Sequence, residues 1–533
     1  NTLGVFQLES AGMRVFMKQL KPDNFEDIVA GISLYRPGPM DSIPTYIENK
    51  TNPQNVTYLH EKLKPIMEVT YGCLVYQEQV MQVVRELGGY TYGRSDLVRR
   101  AMGKKKMDVM EEERRYFVYG KEDENGNIEI AGCIRNGVPE DIANQIFDDM
   151  IDFAKYAFNK SHAAAYGVLS YQTAYLKAYY PVEFMAALIT SVMGNTDKVV
   201  EYIRECNALG IEVLKPDINK SFSKFSVEGN NIRFGLAAVK NVGVNIIENI
   251  INERNLNGEF VDFSDLAKRL DSKDTNKRVI ESLIKCGAFD EISENRASLM
   301  AGYENVLDSI SMDRKKNVQG QISLFDVFGA SEENNLQETN TIPKLPEYQE
   351  REKLSLEKEV LGMYVSGHPL SEFKEILTKN TSIDNGKLNS LKEDEESYLS
   401  LDERDVIMGG MIANKTIKTT KRNDIMAFLD LEDLYGNIEV IVFPQTLKKY
   451  NQILNEDSII FIRGVLNIKE GEEPKIVARD IVDIDNVYQL NRGIYDSKKH
   501  INNTENHRKN SKNGLYLKVD SYTLDGQYHN NGY

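Results

Sequence analysis

The chain has 533 residues, 41% hydrophobic and 27% charged, proportions that exclude a mainly disordered or collagen-like polymer. At roughly 150 residues per domain this length sets an expectation of three or four domains. Acidic residues outnumber basic ones 81 to 65, a net charge of −16, so a uniformly basic nucleic-acid coat is excluded and any phosphate partner must meet a local basic patch.

Residues 1–194 are aromatic-rich and helical in period, punctuated at Arg36-Pro37-Gly38-Pro39, Gly88-Gly89 and Asn125-Gly126, and read as one large α-rich domain. Within it, Thr2 to Leu8 reads as buried strand or helix. The longest charge-free apolar stretch, Ser161 to Leu176, is shorter than the roughly 20 residues of a membrane span, so a soluble, cytoplasmic chain without membrane partners is expected. No signal segment precedes the globular pattern and the first residue is Asn1, which suggests a piece of something longer. Residues 195–330 carry short helices with turn signals, among them Lys240-Asn241-Val242-Gly243 opening a helix from Val244, and read as a second helical domain. An acid-rich linker and a connecting helical region fill 331–404. Five short strands between 405 and 484, with Tyr435-Gly436-Asn437 as a hairpin turn, fit a small all-β barrel. A polar tail occupies 485–533, with a candidate strand starting at Leu515.

The densest basic cluster is Arg99, Arg100, Lys104, Lys105 and Lys106, five cations in eight residues with no acid among them. Arginine forks and lysine point charges around a glycine suit phosphate; a solvated basic face is the open alternative. Asn159, Lys160, Ser161 and His162 stand before an Ala-rich helix, where such groups can hold phosphate oxygens. Helix capping by Asn159 or Ser161, with His162 hydrogen-bonded in the core, is the alternative there. Two prolines fix Arg36 in a rigid loop, which serves either an anion or a plain turn. Lys240, Asn241, Val242 and Gly243 resemble a helix-hairpin-helix turn, whose amides grip DNA phosphate without reading sequence. Gln321-Ile322-Ser323-Leu324-Phe325 sets an apolar pair beside the polar linker, either as an anchor for a partner groove or tucked onto the helical domain. The cysteines, Cys73, Cys133, Cys206 and Cys286, lie too far apart to seed a zinc or redox site, and no metal site is expected.

Taken in order, Gly4-Val-Phe-Gln-Leu-Glu-Ser10, Tyr35-Arg-Pro-Gly-Pro39, Tyr71 to Met81, Leu97 to Lys106, Phe158-Asn-Lys-Ser-His162 and Gly362 to Pro369 closely resemble the bacterial DNA polymerase III alpha subunits, the C-family replicative polymerases. The resemblance implies a multidomain fold: α-rich polymerase fingers (1–194), a helical helix-hairpin-helix and clamp-binding domain (195–330) and an OB-fold barrel (405–484). It implies that Arg36, Arg99, Arg100, Lys104 to Lys106 and Asn159 to His162 approach the incoming dNTP, that Lys240 to Gly243 hold primer-template DNA, and that Gln321 to Phe325 bind the sliding clamp. The family often has glycines where Lys155 and Ala157 stand. Its catalytic aspartates and their Mg²⁺ belong to a palm upstream of this segment, so no catalytic residue is expected here and the segment alone should be inactive. The clamp-loader tau subunit and the proofreading exonuclease are partners by resemblance, through regions outside this segment. The rival reading is a non-catalytic DNA- and clamp-binding adaptor. A DNA ligase is disfavoured because Lys518-Val-Asp-Ser521 lacks the glycine of a Lys-x-Asp-Gly nucleophile motif.

Overall fold

The computed structural model describes residues 1–37, 39–103, 107–154, 158–271, 276–293, 295–318, 342–391, 395–420, 423–469 and 473–488. Lys104, Lys105, Lys106, Lys155, Ala157, Gln321 to Phe325 and the tail beyond 488 lie outside the described residues. Two compact units result: Asn1–Ser371 with Lys392–Glu395, and Glu372–Leu391 with everything from Glu396 onward.

The first unit is built on helices. They are α1 (Ala11–Leu20), α2 (Phe25–Leu34), α3 (Ile43–Thr51), α4 (Lys64–Met67), α5 (Gln77–Gly88), α6 (Tyr92–Gly103), α7 (Met107–Tyr119), α8 (Glu140–Ala154), α9 (Lys160–Tyr179) and α10 (Pro181–Ser191). After these come α11 (Thr196–Ala208), α12 (Val244–Asn257), α13 (Phe263–Arg269), α14 (Lys277–Lys285), α15 (Arg296–Val318) and α16 (Glu350–Leu361). A hairpin of β1 (Lys121–Glu122) and β2 (Ile128–Ile130) turns at the predicted Asn125-Gly126, and β3 (Val213–Leu214), β4 (Ser226–Glu228) and β5 (Asn231–Arg233) form a small sheet in the order β3-β5-β4.

Capping chemistry explains several helix starts. Ser10 Oγ accepts the Met13 amide and Asn24 Oδ1 the Asp27 amide, each satisfying a donor that the first turn leaves without an intrahelical partner. Helix α14 shows why amphipathic spacing folds: Val279, Ile280, Leu283 and Ile284 all fall on its buried face. Three cores follow. One gathers Val5, Phe16, Leu34, Tyr46 and Tyr76; the second gathers Val83, Leu87, Phe117 and Phe147; the third holds Phe234, Ile250, Phe263 and Leu283. That third core also takes in Leu3 and Met185 from the first region, and Val360 and Leu361 from the region read as a connection.

Thr2 to Leu8 forms a run of turns rather than a strand or helix. Gly4 has φ +76°, a left-handed conformation, and a Cβ there would lie 2.4 Å from Leu188 Cδ2; Gln7 has φ +63°. The apolar spacing was real, but two left-handed residues break any regular repeat.

In the second unit α17 (Lys374–Asn380), α18 (Asn385–Leu391), α19 (Glu395–Leu399) and α20 (Pro444–Tyr450) accompany a closed barrel of β6 (Asp405–Thr419), β7 (Ile425–Glu432), β8 (Asn437–Val442), β9 (Ile459–Asn467) and β10 (Lys475–Asp483). Strand order is β10-β8-β7-β6-β9, closed by the antiparallel β9–β10 pair, with β8–β10 paired parallel. Alternation sends Ala427, Leu429, Leu431, Ile438, Val440 and Val442 inward. Asp433 fixes the hairpin turn by accepting the Tyr435 and Gly436 amides at 2.7 and 2.8 Å.

Candidate nucleotide and nucleic-acid sites

Three cationic motifs far apart in sequence meet where α5 and α9 begin. Gln79 is buried, accepts the Val75 and Tyr76 amides and donates to Ile66 O and Thr70 Oγ1, which pins the chain just before α5. Beside this point Tyr76 forms a parallel bridge to Phe158, and the Gln77 amide donates to Phe158 O at 2.9 Å. Arg36 lays its guanidinium over the Phe158 ring, 3.7 Å from the centroid. Arg99 donates to Gln77 Oε1 at 2.9 Å. The Lys160 ammonium stands 5.2 Å over the buried Tyr76 ring. Arg36, Arg99 and Lys160 are thus tied to Phe158, Gln77 and Tyr76, neighbouring backbone on adjacent strands of chain.

Among the described residues, Arg99 and Lys160 each meet a carboxylate and Arg36 meets none. Arg99 donates twice to Asp96 Oδ1, at 2.9 and 2.7 Å, and Arg100 reaches Asp96 Oδ2 at 2.8 Å while its side chain stays 63% exposed. The Arg99 hydrogen bond holds the Asp96 carboxyl below its ordinary value. Lys160 Nζ lies 2.9 Å from Glu26, and its backbone amide donates to both Glu78 oxygens at 3.2 and 3.0 Å. A resident carboxylate therefore sits at the N-terminus of α9, where the macrodipole favours an anion.

The remaining residues of that cluster divide between capping and stacking. Asn159 caps α9, its Oδ1 accepting the His162 amide at 2.9 Å, which is the capping alternative in the sequence. Ser161 is exposed on the first turn. His162 is also exposed, not in a core, and its ring meets Phe158 edge-on at 5.5 Å and lies tilted against Tyr166 at 4.2 Å. Sequence reading missed Gln77, Glu26, Glu78 and Asp96; only Asp96, one helical turn before Arg99 and Arg100, carried a local signal.

The hairpin turn is held differently. The Lys240 amide donates to Val360 O at 2.9 Å, Lys240 Nζ to Glu359 O at 3.0 Å, and Asn241 Nδ2 to Ser282 Oγ at 3.3 Å, with Asn241 in a left-handed conformation. Val242 is buried, and Gly243 opens α12 without a side-chain cap and with open space where a Cβ would stand. On the barrel, Lys418 stands 4.7 Å over Phe428, flanked by Ile417 and Ile425, both more than half exposed. Among the described residues no group of three or more His, Cys, Asp or Glu gathers to hold a metal, and no helix is long and apolar enough to cross a membrane.

The bacterial DNA polymerase III alpha subunit finger domain matches residues 1–125, a helix-hairpin-helix motif matches 210–299, and an OB-fold nucleic acid binding domain matches 406–484. DNA polymerase III subunit alpha of Borreliella burgdorferi is 40% identical over 490 residues, covering 91% of this chain and 41% of the relative. That of Thermus aquaticus is 40% identical over 499 residues (92% and 38%), and that of Escherichia coli K12 38% identical over 494 (91% and 40%). The chain thus spans about two fifths of the length of these curated relatives. The chain matches the finger, helix-hairpin-helix and OB-fold portion of DNA polymerase III alpha subunits.

Proposed function

We propose that this chain is the substrate-gripping portion of a template-directed DNA polymerase, a nucleotidyltransferase of cytoplasmic DNA replication. The convergence of Arg36, Arg99 and Lys160 on Phe158, Gln77 and Tyr76 carries this reading. A dNTP triphosphate bears more negative charge than any single carboxylate, so it competes with Asp96 for Arg99 and Arg100 and with Glu78 for the start of α9. Asp96 and Gln77 hold the Arg99 guanidinium in one orientation before ligand arrives, and Phe158 does the same for Arg36. Lys104, Lys105 and Lys106 extend the same basic run.

Primer-template DNA is gripped at Lys240 to Gly243, where uncapped amides at the start of α12 meet a phosphate. Single-stranded template crosses the barrel at Phe428 and Lys418. Gln321 to Phe325 bind the sliding clamp. Mg²⁺, with ligands assigned to regions outside this chain, would supply charge neutralisation of the triphosphate and activation of the primer hydroxyl; the surfaces for the tau subunit and the exonuclease are likewise assigned outside this chain. By itself the chain binds primed DNA and clamp and extends no primer. A clamp pull-down with purified chain tests the partner assignment: Leu324→Ala with Phe325→Ala is expected to weaken capture at least tenfold, and unchanged capture rejects it.

A further inference from the structure

The rings at the α9 start continue into a ladder. From Arg36 over Phe158 it passes to His162, to Tyr166 at 4.2 Å, and on to Phe6, whose ring meets Tyr166 edge-on at 5.3 Å. Its two ends, Arg36 and Phe6, both line one groove of about 640 Å³. We propose that this groove holds the base of one unpaired template nucleotide, an inference that rests on the dNTP site proposed above.

Four observations carry it. Phe6 is 37% exposed yet rigidly held: its amide donates to Thr173 Oγ1 at 3.1 Å, and Thr2 Oγ1 donates to Leu8 O at 2.6 Å across the turn. Gln7 pays a conformational cost at φ +63°, and strain retained in an exposed loop marks a site that needs that geometry. The lining combines an apolar floor, including Ile32 and Val192, with the exposed Gln7 side chain, groups that suit a base face and a base edge. Charge excludes a polyphosphate there. Among the described residues Arg36 is the single cation of the lining and Glu9 the single acid, its carboxylate already accepting the Tyr202 hydroxyl at 2.9 Å. A neutral base, with Arg36 left to the adjoining dNTP, fits that balance. Because Arg36 also touches Phe158, the groove adjoins the dNTP site, as a template nucleotide next to the forming pair must.

The test uses the 533-residue chain and primed DNA with 2-aminopurine placed in turn at the first three positions of the template overhang. Stacking in the groove changes the fluorescence at one of these positions. Phe6→Ala is expected to weaken binding of overhang DNA about tenfold, and Ser191→Trp, which fills the groove from its exposed rim, to abolish the fluorescence response. Both variants bind fully paired duplex within twofold of the parent chain. An unaltered 2-aminopurine response in both variants overturns the groove assignment while leaving the dNTP site standing, as does exclusion of DNA by a peptide segment that fills the groove. Failure of the parent chain to bind primed DNA overturns both.

Discussion

The cluster at the start of α5 and α9 and the hairpin turn before α12 are both suited to phosphate, yet they are held in opposite ways. In the cluster, cations are neutralised by side-chain carboxylates, Asp96 on Arg99 and Arg100 and Glu26 on Lys160, while Glu78 accepts the Lys160 backbone amide at the start of α9. At the hairpin the grip is backbone, fixed by Val360 O, Glu359 O and Ser282 Oγ. A ligand entering the first site must displace acids, which selects for high charge. The second is preorganised and indifferent to sequence, as a surface sliding along DNA requires. On the proposed reading one site discriminates and the other holds.

The largest way to break this contrast acts on the hairpin's support. Helix α16 supplies both carbonyls, and α16 is locked by Glu357, fully buried, at 3.0 Å from buried Arg296, which also pairs with Asp290 at 2.8 Å. Glu357→Ala leaves a buried guanidinium short of a partner. It is expected to lower stability by about 3–5 kcal/mol in chemical denaturation and to weaken duplex binding, while the barrel keeps its own transition.

A smaller effect follows from Asp290→Asn, expected to cost about 1.5–3 kcal/mol at neutral pH. Burial raises the Asp290 carboxyl, but the Arg296 hydrogen bond and charge, with Lys215, outweigh it and leave its affinity for protons below the ordinary value of 3.8. A carboxyl depressed on folding contributes stability that is fully present above the unfolded value and is lost as pH falls through the lower folded one. Denaturation midpoints of the parent chain should therefore drop below pH 3.8 on this account, and those of Asp290→Asn should drop less; equal acid sensitivity would remove the pair from the account.

The gentlest change sharpens the comparison most. Gly243→Ala meets open space and ordinary φ, so stability should stay within about 0.5 kcal/mol. If a phosphate approaches the turn backbone, the added methyl obstructs it, and duplex affinity measured by anisotropy falls about fivefold with no change in dNTP binding.

Much of this was legible in the sequence. Alternation in Ile438 to Val442 announced a barrel strand, and the motifs of Arg36, Arg99 and His162 were visible as motifs. Of the acids around them only Asp96 left a local signal, because Glu78 is 82 residues from Lys160 and Glu26 farther still, and only the packing of α2, α5 and α9 brings those together. Helix α16 reads as a charged connector, Glu-Arg-Glu-Lys-Leu-Ser-Leu-Glu-Lys-Glu-Val-Leu. Yet Leu354, Glu357, Val360 and Leu361 are buried, and a buried glutamate is invisible until its arginine is located. Gln7 was missed because a non-glycine residue at positive φ leaves no trace in composition.

The central claim is that the acid-balanced cluster recognises the incoming nucleotide. Steady-state kinetics of the full-length polymerase with Arg100→Ala, alongside equilibrium binding of primed DNA, tests it most directly. The account predicts a KM for dNTP raised about tenfold or more with the Kd for DNA within twofold. A weakened Kd for DNA with an unchanged KM would contradict it and move Arg100 to the DNA path.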